Sequence, residues 1–239
     1  MNARTSIDYE NRHVVVTGGT GALGSAVTAA LLEAGAICHV PYRNAEVLNR
    51  FPHRENSRVS FVAVGDLADE AEVMRFYEGL QQLWASIHLA GAYAPAPLAR
   101  SDKALLMSQL ETNLVSAYIC SRAAAIAMRR LGAGGRIVNV AARQALEPRI
   151  GAGSVAYTIA KSGVVALTTA LGAELAGEDI LVNAIAPSIM DTPGNRAAMP
   201  NAPFDSWPKV EEVAATILYL ASPANRATRG AVVPVYGKA

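Results

Sequence analysis

The chain has 239 residues, of which 51% are hydrophobic and 17% charged, and its formal net charge is +1. A chain of this length and apolar content is able to bury a large core as one α/β unit over residues 1–239. The near-neutral charge, with no basic block, argues against a nucleic-acid partner and against binding to an anionic membrane surface.

The amino-terminal residues and the cysteines indicate the cellular compartment in which we expect the protein. Residues 1–12 are polar and mixed in charge, and they lack the apolar core of a signal peptide. No uncharged apolar run reaches the roughly 18 residues that a membrane span needs. Cys38 and Cys120 lie far apart in apolar surroundings, which argues against a disulfide framework and against a metal site. We therefore expect a cytoplasmic protein without a metal ion.

Short apolar runs alternate with helical patterns along the chain. Strands are predicted over 13–17, 36–41, 59–64, 87–90, 136–140, 181–185 and 231–235. The first helix is predicted over 23–34, with Gly35 as the glycine that closes it. This alternation predicts a Rossmann-type, doubly wound parallel sheet of about seven strands with helices on both faces. Residues 188–208, with four prolines and two asparagines, predict an ordered flap over the substrate.

A glycine-rich segment, TGGTGALG over 17–24, joins the first strand to the first helix. Glycines let a pyrophosphate approach the backbone, and the helix N-terminus offers free N–H groups and a favourable dipole. No P-loop ending in Lys-Ser/Thr is present, which argues against a nucleoside triphosphatase. The alternative is a tight strand–helix turn that binds no ligand. The residues predicted to contact a dinucleotide here are Gly18, Thr20, Gly21, Ala22, Leu23 and Gly24.

The residues after the second and third strands favour one dinucleotide. An acidic residue after the second strand would bind a ribose 2′-hydroxyl, whereas an arginine accommodates a 2′-phosphate. Here Tyr42 occupies the expected acidic position and Arg43 follows it, so NADP(H) is favoured over NAD(H). Asp66 and Leu67 follow the third strand, where Asp66 could accept a hydrogen bond from the adenine amino group. The alternatives are a solvated cation at Arg43 and a helix cap at Asp66.

Tyr157 and Lys161 are spaced i and i+4, which places them on one face of a helix. The Lys161 ammonium and a nicotinamide cation would both favour the phenolate. Lowering a phenol pKa from about 10 to about 7 requires roughly 4 kcal/mol of differential stabilisation. Tyr157 could then act as a general acid or base near neutral pH. This spacing alone also suits an ordinary pair on a surface helix.

Taken together, these motifs resemble the short-chain dehydrogenase/reductase family in type and order over nearly the whole chain. The matching features are the glycine-rich turn, Asp66, Ala90-Gly91, Asn113, the RIVNV strand over 136–140, Tyr157 with Lys161, and the segment 187–192. The resemblance implies an NAD(P)-dependent oxidoreductase acting on a small molecule, with Tyr157, Lys161 and Asn113 in a proton relay.

The resemblance also implies further contacts and an assembly. Ala90, Gly91, Tyr157 and Lys161 would contact the cofactor, and Pro187, Ile189 and Thr192 would lie at its carboxamide end. The family's dimers pack the helix that bears the Asn and the helix that follows the catalytic Tyr. We therefore expect a homodimer or homotetramer, in agreement with the apolar character of residues 162–176.

One departure from the family pattern concerns the reaction directly. The serine that usually bonds the substrate carbonyl is replaced by Ala142, and either the lengthened loop or Ser154 could supply a donor instead. Two milder departures are Ala22 in the glycine-rich turn and His88-Leu89 before Ala90.

A narrower resemblance points to a class of acceptor. Quinonoid dihydropteridine reductase also lacks the serine, and residues 181–208 resemble its substrate flap. Tyr93 and Trp207 would then flank a flat substrate beside Ala142. We expect a flat conjugated acceptor, such as a quinonoid dihydropterin or a quinone. The alternatives are an ordinary carbonyl reductase or secondary-alcohol dehydrogenase, and a catalytically weak cofactor-binding sensor or scaffold.

Overall fold

The computed structural model describes residues 7–132 and 134–239. Its strands form one parallel sheet of seven, in the order β3-β2-β1-β4-β5-β6-β7. This order reverses direction between β1 and β4, where doubly wound sheets leave a ligand crevice. The predicted Rossmann-type sheet is confirmed. The strands are β1 His13–Thr17, β2 Ile37–Tyr42, β3 Val59–Ala63, β4 Ala85–His88, β5 Gly135–Val140, β6 Ile180–Pro187 and β7 Val232–Val235.

Helices cover both faces of the sheet because successive strand residues point to opposite sides. In β1, Val14 and Val16 pack in the cluster that contains α1 and α8, whereas Val15 packs in the cluster that contains α2 and α4. The helices are α1 Ala22–Glu33, α2 Glu70–Glu78, α3 Lys103–Leu110, α4 Ser116–Leu131, α5 Arg143–Leu146, α6 Val155–Glu174, α7 Pro193–Ala198 and α8 Val210–Ala221.

Predicted and observed boundaries differ most at β4. The strand was expected over 87–90 but spans Ala85–His88, because Trp84 and Ala85 already pair with the neighbouring strands. Ala90 and Gly91 therefore belong to the loop at the carboxyl end of the sheet. At the end of α1, Gly35 adopts φ +88°, as the glycine-closed terminus predicted.

A π-helical turn bears one of the candidate site residues. It spans Glu111–Val115, joins α3 to α4 and carries Asn113. Such turns are frequent at functional sites.

By length and composition, α6 is the one helix among the described residues that could cross a membrane. It nevertheless carries Lys161 and packs against β5 and β6, and the core helix of a soluble protein has the same properties.

Candidate active site

Two cavities lie at the carboxyl ends of the strands. We call the one of about 620 Å³ the tyrosine cavity and the one of about 450 Å³ the glycine cavity. The predicted site residues that line the tyrosine cavity are Leu23, Gly91, Tyr93, Asn113, Ala142, Tyr157, Lys161, Pro187, Ile189 and Trp207. Those that line the glycine cavity are Gly18, Thr20, Tyr42, Arg43, Asp66, Leu67 and Ala90.

The backbone of the turn after β1 packs closely against the loop after β4. Gly18 adopts φ +66°, and a β-carbon there would lie 2.7 Å from the Ala90 nitrogen, so the position requires glycine. Helix α1 begins after Gly21 without a side-chain cap. Its first N–H groups are therefore free of side-chain partners within the described residues, which suits a pyrophosphate.

Asn113 ties the loop after β4 to the helix that carries it. Its amide nitrogen donates to the Ala92 carbonyl at 2.9 Å, and its amide oxygen accepts from the Ala92 nitrogen at 3.2 Å. A β-carbon on Gly91 would lie 2.7 Å from that oxygen and 3.3 Å from Lys161 Nζ. Gly91 thus lies against both Asn113 and Lys161, and all three residues line the tyrosine cavity.

Tyr157 and Lys161 share one face of α6, as their spacing predicted. Lys161 is buried and Nζ donates to the Val140 carbonyl at 2.8 Å. The ammonium lies 5.8 Å from the centre of the Tyr157 ring. The Tyr93 ring meets the Tyr157 ring edge-on, with 4.9 Å between centroids.

The electrostatics of this pair correct one expectation. Burial, with a smaller contribution from Tyr93, raises the pKa of Tyr157 to about 12, and burial lowers the pKa of Lys161 to about 8. Among the chain's own groups, burial has the largest effect on the Tyr157 pKa, and it acts against the expected fall. The other positive charge that was expected to lower the pKa of Tyr157 is that of the nicotinamide cation, which belongs to the cofactor.

The cavity wall between β5 and α6 has a methyl group where the resemblance expects a hydroxyl. Ala142 is buried and lines the tyrosine cavity. Ser154 does not line it, and its hydroxyl donates to the Gly151 carbonyl at 3.2 Å. The polar side chains that α5 does bring to this wall are Arg143 and Gln144.

Comparison with known proteins decides the family. Residues 12–202 match the family described as short chain dehydrogenase. The chain belongs to the short-chain dehydrogenase/reductase family. It is therefore an NAD(P)-dependent oxidoreductase, and the residues of the glycine-rich turn fit the cofactor's phosphates.

Relatives resemble this oxidoreductase along nearly its full length. A galactitol 2-dehydrogenase of Rhizobium johnstonii is 31% identical, over 98% of this chain and 97% of its own. An oxidoreductase of the same family from Burkholderia thailandensis has a TM-score of 0.85 at 26% identity, over 95% of this chain and 92% of its own. The ElxO protein, in a structure with NADP bound, has a TM-score of 0.85 at 24% identity, over 95% of this chain and 98% of its own. That last similarity concerns the fold alone.

Five predicted site residues lie outside the two cavity linings. The Thr192 hydroxyl accepts from the Asn195 nitrogen at 3.1 Å and so caps α7. Gly24 is buried against the Gly18 carbonyl, and Gly21 and Ala22 are exposed at the start of α1. The structure therefore leaves Gly21, Ala22, Gly24, Thr192 and Ser154 outside the two cavity linings.

Glu72 is a contributor that the sequence analysis missed. Its carboxylate accepts from the Gly65 nitrogen at 2.6 Å and from the Asp66 nitrogen at 3.3 Å, which fixes the loop after β3. Asp69 caps α2, so Asp66 is not the helix cap that was its alternative reading. An acidic residue in the first turn of a helix was the available signal, but the sequence does not show that it reaches back to Gly65.

Ion pairing and aromatic packing hold the segment 188–208. Arg196 forms two hydrogen bonds with the Asp191 carboxylate, at 2.6 and 2.8 Å, and the Asp191 nitrogen donates to the Pro208 carbonyl. Trp207 is buried, lines the tyrosine cavity and packs 5.0 Å from the Phe204 ring. The segment is thus an ordered wall of the cavity.

Proposed function

We propose that this oxidoreductase reduces a flat conjugated acceptor, such as a quinonoid dihydropterin or a quinone, in preference to an ordinary ketone. The observation that carries the proposal is Ala142 in the cavity wall, with the Ser154 hydroxyl already bonded elsewhere. Charge develops on one oxygen when a ketone is reduced, and each donor aimed at that oxygen stabilises it by about 3 kcal/mol. A conjugated acceptor spreads that charge over several atoms, so it depends less on a missing donor.

The shape of the tyrosine cavity supports this choice. The rings of Tyr93, Tyr157 and Trp207 line it, and flat π-systems pack favourably against such rings. The narrower resemblance of residues 181–208 to quinonoid dihydropteridine reductase points in the same direction. In this proposal the chain is one cofactor-binding unit in which residues 188–208 act as the substrate flap.

The proposed proton path uses the chain's own groups. When bound, the nicotinamide cofactor supplies the hydride. Tyr157 then donates its phenol proton to the reduced acceptor, and its raised pKa keeps it protonated at neutral pH for that step. Lys161 lies beside Tyr157, and Asn113 beside Lys161, where they would return a proton.

The glycine cavity supports NADP(H) as the preferred cofactor. Tyr42 and Arg43 line it at the end of β2, where an acidic residue would select NAD(H). The acidic residues in its lining are Asp66, after β3, and Glu111, whereas Glu46 lies outside it. Arg43 is exposed and is therefore able to meet a 2′-phosphate.

We also propose a homodimer or homotetramer in the cytoplasm. Exposed apolar side chains on α6 support the assembly, and Cys38 and Cys120, both buried free thiols, suit a reducing compartment.

An ordinary secondary-alcohol dehydrogenase is the second candidate, because the 31%-identical relative is named as a galactitol 2-dehydrogenase. The test compares rate constants for a quinonoid dihydropterin, a quinone and a simple ketone with NADPH, and for galactitol with NADP⁺. We expect the conjugated acceptors to react fastest. Faster turnover of the ketone or of galactitol, together with a large loss in Ser154→Ala, would support the second candidate instead.

A further inference from the structure

One charged side chain in the tyrosine cavity has no role in the proposed proton path. Among the described residues of the cavity lining, Arg143 and Lys161 have charged side chains and none is Asp or Glu, although Ala239, the last residue of the sequence, also lines the cavity. Lys161 is buried beside Asn113 and Tyr157. We propose that Arg143 binds a carboxylate on the substrate, so that the preferred acceptor is an acid. This inference rests on the proposed function of the same cavity.

The Arg143 guanidinium is held in place from two sides. Nε lies 3.2 and 3.1 Å from the two carboxylate oxygens of Glu147. The guanidinium carbon lies 4.7 Å from the centre of the Tyr236 ring, in a cation–π contact. A guanidinium fixed in this way loses little conformational freedom when it binds a ligand.

The two terminal amino groups of Arg143 remain available. Neither makes a hydrogen bond to any residue that the structure describes, and the side chain is 29% exposed. Glu147 pairs with Nε, so its negative charge lies on that side of the guanidinium, and it is outside the cavity lining. Two parallel N–H donors match the two oxygens of a carboxylate, which gives a charge-assisted bidentate pair.

The position of Arg143 explains how the site functions without the serine. Arg143 directly follows Ala142, so the wall that lacks a hydroxyl gains a fixed cation at the next residue. Binding energy from a substrate group that does not react can orient the reacting carbon and offset a lost donor. The carboxylate would thus position the acceptor while Tyr157 supplies the proton.

The activity test uses pairs of acceptors that differ only in charge. A naphthoquinone with a carboxylate side chain and its methyl ester are compared with NADPH in wild type, Arg143→Ala, Arg143→Lys and Arg149→Ala. Arg149 is exposed on the same loop and does not line the cavity, so it is the matched control. We expect the acid-over-ester preference in kcat/KM to fall at least about tenfold in Arg143→Ala, mainly through KM, as for a lost hydrogen bond to a charged group. Arg143→Lys should recover part of it, and Arg149→Ala should keep it.

A binding test separates this inference from the proposed function. Calorimetry on the NADP⁺-loaded protein compares 2-naphthoate with 2-naphthamide, which have the same flat ring and differ in charge. We expect tighter binding of the naphthoate in wild type and no such preference in Arg143→Ala. Equal affinities in wild type, or a preference that survives in Arg143→Ala, would overturn the role of Arg143 even if quinones are good acceptors. A naphthoate preference that depends on Arg143 would support it even if no quinone is reduced.

Discussion

The glycine cavity and the tyrosine cavity lie side by side but are built differently. The glycine cavity is lined mainly by short segments at the ends of β1, β2 and β3, and its turn works through backbone geometry at Gly18. The tyrosine cavity draws on β4, β5, α5, α6 and the flap, and its chemistry depends on buried side chains. We therefore expect the cofactor's phosphates to bind mainly through local backbone shape, and the substrate to be selected by side chains brought together from distant parts of the chain.

This difference means that single substitutions should separate the two functions. A substitution at Tyr157 or Ala142 should change turnover or acceptor choice and leave cofactor affinity nearly intact. A side chain in the glycine cavity should change cofactor affinity and leave acceptor choice intact.

The largest effect is expected from Tyr157→Phe. Loss of the phenol removes the proton donor, so turnover should fall at least about 100-fold, the lower range for general acid–base catalysis. NADPH affinity, measured by fluorescence titration, should stay nearly unchanged because the ring still packs against Tyr93. Retention of most activity would remove Tyr157 from the mechanism.

A gain of function is expected from Ala142→Ser. The new hydroxyl would face the tyrosine cavity and restore a donor to the substrate oxygen. Reduction of a simple ketone should rise at least about tenfold, a fraction of what one such donor contributes in other enzymes. The quinone rate should change much less. An unchanged ketone rate would show that the missing serine does not set acceptor choice.

The fold was largely predictable because its patterns are local. The β-branched run of β1 and the glycine-rich turn identify the first βα unit, and Gly35 marks the end of α1. At β4 both strand boundaries lie two residues earlier than predicted, because pairing begins before the apolar pattern and ends at His88. The spacing of Tyr157 and Lys161 likewise placed both on one helix face.

What the sequence did not reveal depends on distant contacts. The pKa of Tyr157 is raised because of burial that no spacing reports. Ser154 was open as a donor until its bond to Gly151 was seen, and Thr192 proved to cap α7. The support that Glu72 gives to the loop after β3 was equally invisible, since its partners lie on the preceding loop.

A smaller effect is expected in the glycine cavity. Arg43→Ala removes the cation that would face a 2′-phosphate, so NADPH affinity should fall about five- to tenfold, as for one charge-assisted contact at an exposed position. NADH affinity should change little. Arg50→Ala is the matched control, because Arg50 is exposed on the same segment and outside the cavity lining. Tighter binding of NADH than of NADPH to wild type would contradict the NADP(H) preference inferred from the residues at the end of β2.

Substitutions on the exposed surface of the helices next to the two cavities should have the smallest effect on turnover. Helix α1, behind the glycine cavity, is packed against α8 inside a core cluster. Helix α6, behind the tyrosine cavity, leaves Val155 and Ile159 exposed at 42% and 48%, and Tyr118 on α4 is 53% exposed. Val155 and Ile159 are one helical turn apart, and contiguous exposed apolar residues are typical of protein interfaces. The tyrosine cavity would then be supported in part by a second copy of the chain.

We therefore expect sedimentation at micromolar concentration to give at least twice the mass of one chain. Ile159→Asp places a charge on the exposed face of α6 and should shift the distribution toward monomers, with a loss in turnover well below that of Tyr157→Phe. Leu98→Asp is the control, since Leu98 is 76% exposed but lies outside α4 and α6. A monomeric wild type would contradict the assembly. A dimer that persists in Ile159→Asp would instead move the interface to another face, and the tyrosine cavity would then depend on its own chain alone.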